Sequence, residues 1–153
     1  MKNFYKLIAS GFGSGWLPIA PGTWGAAVAA VLVLPLMTVD KAVVSLILTV
    51  LITAFSLLCA KAVDVFADEW GEDPRHVVAD EMVGMWLTLV GLPLTLVNIG
   101  VGFALFRFFD IAKPFGIRRM ESIPGGWGVV LDDVLAGVYA NILLQLLNLI
   151  ITS

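Results

Sequence analysis

Four stretches of this chain carry no charge, and they limit what it can fold into: residues 26–39, 42–60, 82–106 and 134–151. A helix needs about 20 apolar residues to cross a bilayer. Residues 42–60 and 134–151 each read as one crossing. Residues 82–106 exceed that length, and residues 26–39 fall short of it and contain Pro35. No strand-like alternation appears along the chain, and lipid admits only helices or closed barrels. The sequence therefore predicts an all-α fold: a polytopic membrane helix bundle forming one domain over residues 1–153. Composition agrees. The chain is 59% hydrophobic and 14% charged, against about 45–50% apolar and 25% charged for a soluble domain.

Residues 82–106 admit two readings. A straight helix would place Asp80 and Asp110 at opposite membrane faces. A break at Gly91-Leu92-Pro93 would fold the stretch into a hairpin and return both acids to one face, since proline lacks an amide donor and glycine frees the backbone. The distribution of bases separates the readings. Suppose that residues 26–39 and 42–60 each cross once, with the N-terminus inside. A straight third segment leaves Lys2, Lys6, Lys61 and Arg75 inside and Lys41, Arg107, Lys113, Arg118 and Arg119 outside, four against five. A hairpin gives eight against one, and is the reading preferred.

Charge excludes one class of partner. The net charge is −3 and no polybasic arm occurs, so nucleic acid is not expected. The single cysteine, Cys59, sits in an uncharged stretch and reads as a buried thiol. Lys2 and Lys6 precede a glycine-rich segment rather than the apolar run of a cleavable signal. No motif specifies an oligomeric state.

The acids carry the functional argument. Asp80-Glu81 opens the third apolar stretch, Asp110 follows Arg107 by one helical turn, and Asp132-Asp133 stands at the start of the last helix. Each group alone could simply cap a helix or complement its dipole. On the hairpin reading all five converge near one interface, where they repel unless cations offset them. Mg²⁺ is held by a few carboxylates together with waters and phosphate oxygens. Arg107 and Lys113 could bind phosphate or pair with the acids. Arg118 and Arg119 read as interfacial anchors.

Residues 11–26, "GFGSGWLPIAPGTWGA", form a loop whose Thr23 can cap the next helix, with amides that attract phosphate. The loop lacks the Gly-Lys-Ser/Thr of a nucleotide-binding P-loop. Asp64 and Asp68 share a helical face that reads as solvated, and His76 reads as a surface loop residue. Cys59 has no arginine six residues on, no Asp-x-Asp-x-Thr nucleophile occurs, and one histidine cannot make a two-histidine phosphatase site. For a hydrolase, metal-activated water on carboxylates is the simplest chemistry that remains.

Four blocks in order, "GFGSGWLPIAPGTWG", "VVADEMVGMW", "FRFFDIAKP" and "GGWGVVLDDVLAGVYA", resemble the phosphatidylglycerophosphatase A family. The resemblance implies a multi-pass, Mg²⁺-dependent phosphatase of the bacterial inner membrane with its site facing the cytoplasm. Its lipid substrate would be phosphatidylglycerophosphate, and its product phosphatidylglycerol. It places the acidic motif positions on Asp80, Glu81, Asp110, Asp132 and Asp133 without dividing ligand from base. The assignment adopted gives Mg²⁺ to Asp80, Asp132 and Asp133, with Asp110 able to join. Glu81 is the general base, Arg107 and Lys113 neutralise the phosphate, and Gly22 and Thr23 assist through the loop amides. One departure is visible: the family often has a second proline shortly after Lys113-Pro114, where this chain has Phe115-Gly116.

Three rivals stand against this reading. A CDP-alcohol phosphotransferase would need an aspartate pattern that is missing. A small cation transporter or channel would use the same acids as an ion path, but would want them at mid-span. A purely structural subunit leaves five acids beside a glycine-rich loop unexplained.

Overall fold

The computed structural model describes residues 2–70 and 75–152, and every regular element among them is helical. Helix α1 (Lys2–Ala9) buries Ile8 and Ala9 and pairs the Lys6 ammonium with Glu69. Helix α2 (Pro21–Leu32) starts at a proline, whose fixed φ suits the first helical position. That start places Thr23 inside the first turn. Ala20, in the left-handed region at φ 50°, occupies the cap position expected for Thr23, and no side chain caps the helix. A short 3₁₀ turn, Leu34–Leu36, follows around Pro35.

Residues Pro21–Leu36 rise only about 24 Å, less than the roughly 30 Å hydrocarbon core. The separate crossing assumed for residues 26–39 does not follow from α2. Instead α2 packs on the chain itself: the Trp86 indole donates to Ala29 O at 3.1 Å, and Ala26 and Ala29 are buried.

Helix α3 (Lys41–Trp70) continues well past the apolar residues 42–60. Among the described residues, its segment Lys41–Glu69 and the segment Gly126–Ile151 of α6 (Gly126–Thr152) are the two stretches long and apolar enough to cross a membrane. Little of either is buried in the isolated chain. The exposed hydroxyls of Ser45, Thr49 and Thr53 each donate to a carbonyl one turn back at 2.8 Å. They therefore present no unmet donor to lipid.

Helices α4 (Ala79–Leu89) and α5 (Leu96–Ala112) divide the third apolar stretch. The break is stabilised by neutral side chains. Asn141 donates to Thr88 O and Val90 O at 2.9 Å, Ser45 Oγ accepts from Gly91 N at 3.1 Å, and Thr95 Oγ1 accepts from Asn98 N at 3.1 Å to cap α5. The carbonyls left open where α4 ends therefore keep partners. The two helices run antiparallel, because Gly84 lies against Phe106 while Gly102 lies against Thr88 and Leu89.

Glycines also set the approach of α4 to α6. A Cβ at Gly137 would stand 2.6 Å from Gly84 O, and one at Gly84 would stand 2.7 Å from Asp133 O. Only residues without side chains allow this spacing, and it brings the start of α4 level with the second turn of α6. Phe55 and Trp86 meet edge-to-face at 4.9 Å and lock α3 to α4.

Candidate active site

The start of α4, the end of α5 and the second turn of α6 meet at one end of the bundle. They line a cavity of about 1150 Å³ together with residues of the loop before α2, the far end of α3 and the 3₁₀ turn Ile117–Ser122. Asp80, Glu81, Asp110, Lys113, Asp132 and Asp133 all face it. The five acids named from the sequence are therefore brought together. Asp132 and Asp133 are not cap residues, since α6 begins at Gly126.

Asp80, Glu81 and Asp133 form the tightest group, each offering an oxygen within 4.8 Å of the others. Asp132 turns instead to Lys113: Nζ donates to Asp132 Oδ2 at 2.5 Å and to Glu121 Oε1 at 2.7 Å. Arg107 pairs with Asp110 one turn along α5. Gly22 leaves room for these side chains, because a Cβ there would displace Glu81 Oε1 and crowd Arg107 Nη1. Gly22 lines the cavity, whereas Thr23 and Arg107 are not among its lining residues.

Electrostatically the site is short of positive charge. Seven carboxylates line the cavity against Lys113 and Arg75, and Lys113, like Arg107 behind the wall, is already paired. Asp80 Oδ1, Glu81 Oε2, Asp132 Oδ1 and Asp133 Oδ1 are buried without a hydrogen-bond partner. Burial, reinforced by the neighbouring Glu81 charge, drives the Asp80 carboxyl well above its ordinary range. Burial also pushes Glu81 up to about 7, against the lowering effect of its hydrogen bond with Asp80. For Lys113 burial acts to lower the pKa, but its bonds to Asp132 and Glu121 outweigh it and hold the ammonium above its usual range. Orphaned, buried, all-oxygen donors are what a hard divalent cation requires, so the residues present fit Mg²⁺.

The loops hold this arrangement. Lys113 at φ 46°, Phe115 at φ 52° and Gly116 at φ 90° are all left-handed, and Tyr139 Oη donates to Phe115 O at 3.1 Å. Proline is fixed near φ −65°, so neither Phe115 nor Gly116 could be proline in this loop. That accounts for the departure from the family pattern. Asp64 gains a role the sequence reading missed: its Oδ1 accepts from Gly126 N at 2.7 Å and so caps α6 from α3. His76, read as a plain surface residue, lines the cavity and stacks on Trp16. No local pattern marks either contact, because each joins segments remote in sequence. Cys59 is buried, as expected.

A sequence profile of phosphatidylglycerophosphatase A matches residues 7–148. The chain belongs to the phosphatidylglycerophosphatase A family. It is 42% identical to phosphatidylglycerophosphatase A of Haemophilus influenzae, over 93% of this chain and 87% of that protein. Identity to the Escherichia coli protein of the same name is 39%, over 90% of this chain and 80% of the relative. A Bacteroides thetaiotaomicron relative named putative phosphatidylinositol-3-phosphatase is 44% identical, over 95% of this chain and 94% of its own length. No solved structure matches the chain. The family match covers every residue of the acidic cluster.

Proposed function

We propose that this protein hydrolyses phosphatidylglycerophosphate to phosphatidylglycerol and phosphate, using Mg²⁺, at the cytoplasmic face of a bacterial inner membrane. The observation that carries the reading is the convergence of Asp80, Glu81 and Asp133, with unpaired buried oxygens, in a cavity that also presents Lys113. Family membership supports the phosphomonoester chemistry.

Asp80 and Asp133 hold the cation, and Glu81 lies within the same group. When bound, Mg²⁺ supplies Lewis-acid polarisation of the phosphoryl oxygens and a more acidic bound water. Glu81 Oε2, without a partner of its own, takes the proton of the attacking water. Lys113 draws the phosphate into the cavity, and Asp132 with Glu121 fixes the ammonium. Asp132 thus moves from cation ligand to orienting partner. Arg107 acts from behind the wall by holding Asp110 in place. As the phosphorus–glycerol oxygen bond breaks and the bond to water oxygen forms, Glu81 passes the proton it took to the leaving glycerol oxygen, and the lipid leaves as its alcohol.

Location follows the same logic. Helices α3 and α6 span the bilayer, and the α4–α5 hairpin enters and returns from the site side. Of nine lysines and arginines, all but Lys41 lie on elements at the site end, which supports a cytoplasmic site by the positive-inside rule. Labelling an Arg119→Cys variant with an impermeant thiol reagent in intact and inverted vesicles tests it. Reaction only from the cytoplasmic side is expected, and reaction only from the other side would reverse the orientation.

The deciding experiment is phosphate release from phosphatidylglycerophosphate by purified protein in detergent, with Mg²⁺ and with EDTA. Mg²⁺-dependent release is expected, and no release by folded protein would refute the proposal. A second reading, in which the headgroup is inositol 3-phosphate, is favoured by the Bacteroides thetaiotaomicron relative and belongs in the same assay. The ion-path alternative finds no support, since the acids open into a cavity at one end of the bundle.

A further inference from the structure

The cavity is larger than phosphate chemistry alone needs. Its volume of about 1150 Å³ exceeds the roughly 300–1,000 Å³ that encloses a drug-sized ligand. The acids and Lys113 account for only part of its wall. Another part is aromatic: Trp16 and His76 stack at 4.5 Å with their planes 8° apart, and both line the cavity. Trp16 remains 58% exposed, so much of the ring is open to a ligand. The pair is held by backbone rather than by chance packing. Trp16 ends the 3₁₀ turn Ser14–Trp16, and Ser14 Oγ donates to Gly11 O at 2.9 Å. Gly15 sits so close to His76 O that any Cβ would collide with it, and Val78 N donates to Ala9 O at 2.8 Å. Two segments more than fifty residues apart are thereby fixed edge to edge.

We propose that Trp16, backed by His76, is the specificity platform for the polyol of the lipid headgroup. The indole face would pack against the C–H faces of glycerol or inositol while the terminal phosphate reaches Lys113, because an aromatic face carries partial negative charge and attracts weakly positive hydrogens. This rests on the proposed lipid phosphomonoester reaction and adds to it the part of the site that reads the alcohol. It also explains the glycine-rich N-terminal loop, whose left-handed Gly11 and Gly13 shape the turn that presents Trp16.

The test compares wild type, Trp16→Ala and Trp16→Phe on short-chain phosphatidylglycerophosphate and phosphatidylinositol 3-phosphate in mixed micelles, where no extended bilayer is present. Trp16→Ala should raise KM about tenfold for the lipid turned over while kcat stays within about threefold, and Trp16→Phe should recover most of the loss. Calorimetric binding of short-chain phosphatidylglycerol, the expected product, reads the same contact without turnover and should weaken about tenfold in Trp16→Ala. An unchanged KM in micelles overturns the platform, as does a defect seen only in vesicles, which would make Trp16 an interfacial anchor. Failure of every lipid to release phosphate would instead strike the proposed reaction, and the binding comparison would still judge Trp16.

Discussion

The two ends of the bundle solve the same problem in opposite ways. At the end away from the site, the broken backbone between α4 and α5 is satisfied by neutral groups. Asn141, Ser45 and Thr95 take the open carbonyls and amides, and Asn148 donates to Asn98 Oδ1 at 3.0 Å. At the site end, four buried carboxylate oxygens have no partner. A lipid-facing bundle meets its polar demands wherever it can, because each unmet group in a dry interior costs about 1–3 kcal/mol or more. The unmet acids therefore point to something bound, and the amides to something merely held.

The largest effect should come from removing one of those acids. Asp133→Asn should lower kcat by about 10³-fold or more, while the folded protein keeps its helix content and, in EDTA, its thermal stability. Asparagine keeps the shape and removes a repelling charge. Near-normal turnover would remove Asp133 from the site, and a collapse of stability would make it structural. Lys113→Ala comes next, with kcat/KM down about 10–100-fold and most of the change in KM if phosphate capture is its role. Steady-state kinetics on the lipid would separate the two terms.

The site end should also show its excess charge in the response to pH. In EDTA, Glu81 titrates near 7 when folded against 4.5 for the ordinary side chain, and Asp80 is raised in the same direction. The folded state then binds more protons than the unfolded one between these values, so stability should fall as pH rises from about 4.5 to 7. Added Mg²⁺ should restore it most at the upper end of that window. Melting curves at several pH values check this, and a flat profile in EDTA would mean that the acids already have partners. The smallest effect belongs to the other end. Asn141→Ala should cost about 1 kcal/mol of stability, with kcat unchanged in the protein that remains folded. A large loss of activity there would mean that the two ends are coupled.

Much of the site was legible because its residues lie in short local blocks. Asp80-Glu81, Arg107 with Asp110, Lys113 and Asp132-Asp133 flank apolar stretches, and the profile match spans them all. The partners were not legible. Asp132 and Asp133 are adjacent in sequence, yet neighbouring side chains on a helix point about 100° apart, so one meets Lys113 and the other meets Asp80. Thr23 looked like a cap until Pro21 moved the helix start upstream. Asp64 looked solvated because its partner, Gly126 N, lies on another helix.

By itself, the sequence determined the helical class, the apolar segments and the acids, because these depend on composition and local backbone chemistry; it offered the break at Gly91-Leu92-Pro93 as one of two readings. Only the tertiary structure decided that the third stretch folds back at that break, which carboxylates face each other, that α2 packs on α4 through Ala29 and Trp86, and that Trp16 and His76 form one wall of the cavity. Those outcomes depend on how closely helices approach, and Gly84 and Gly137 set that distance between α4 and α6 through the absence of a side chain.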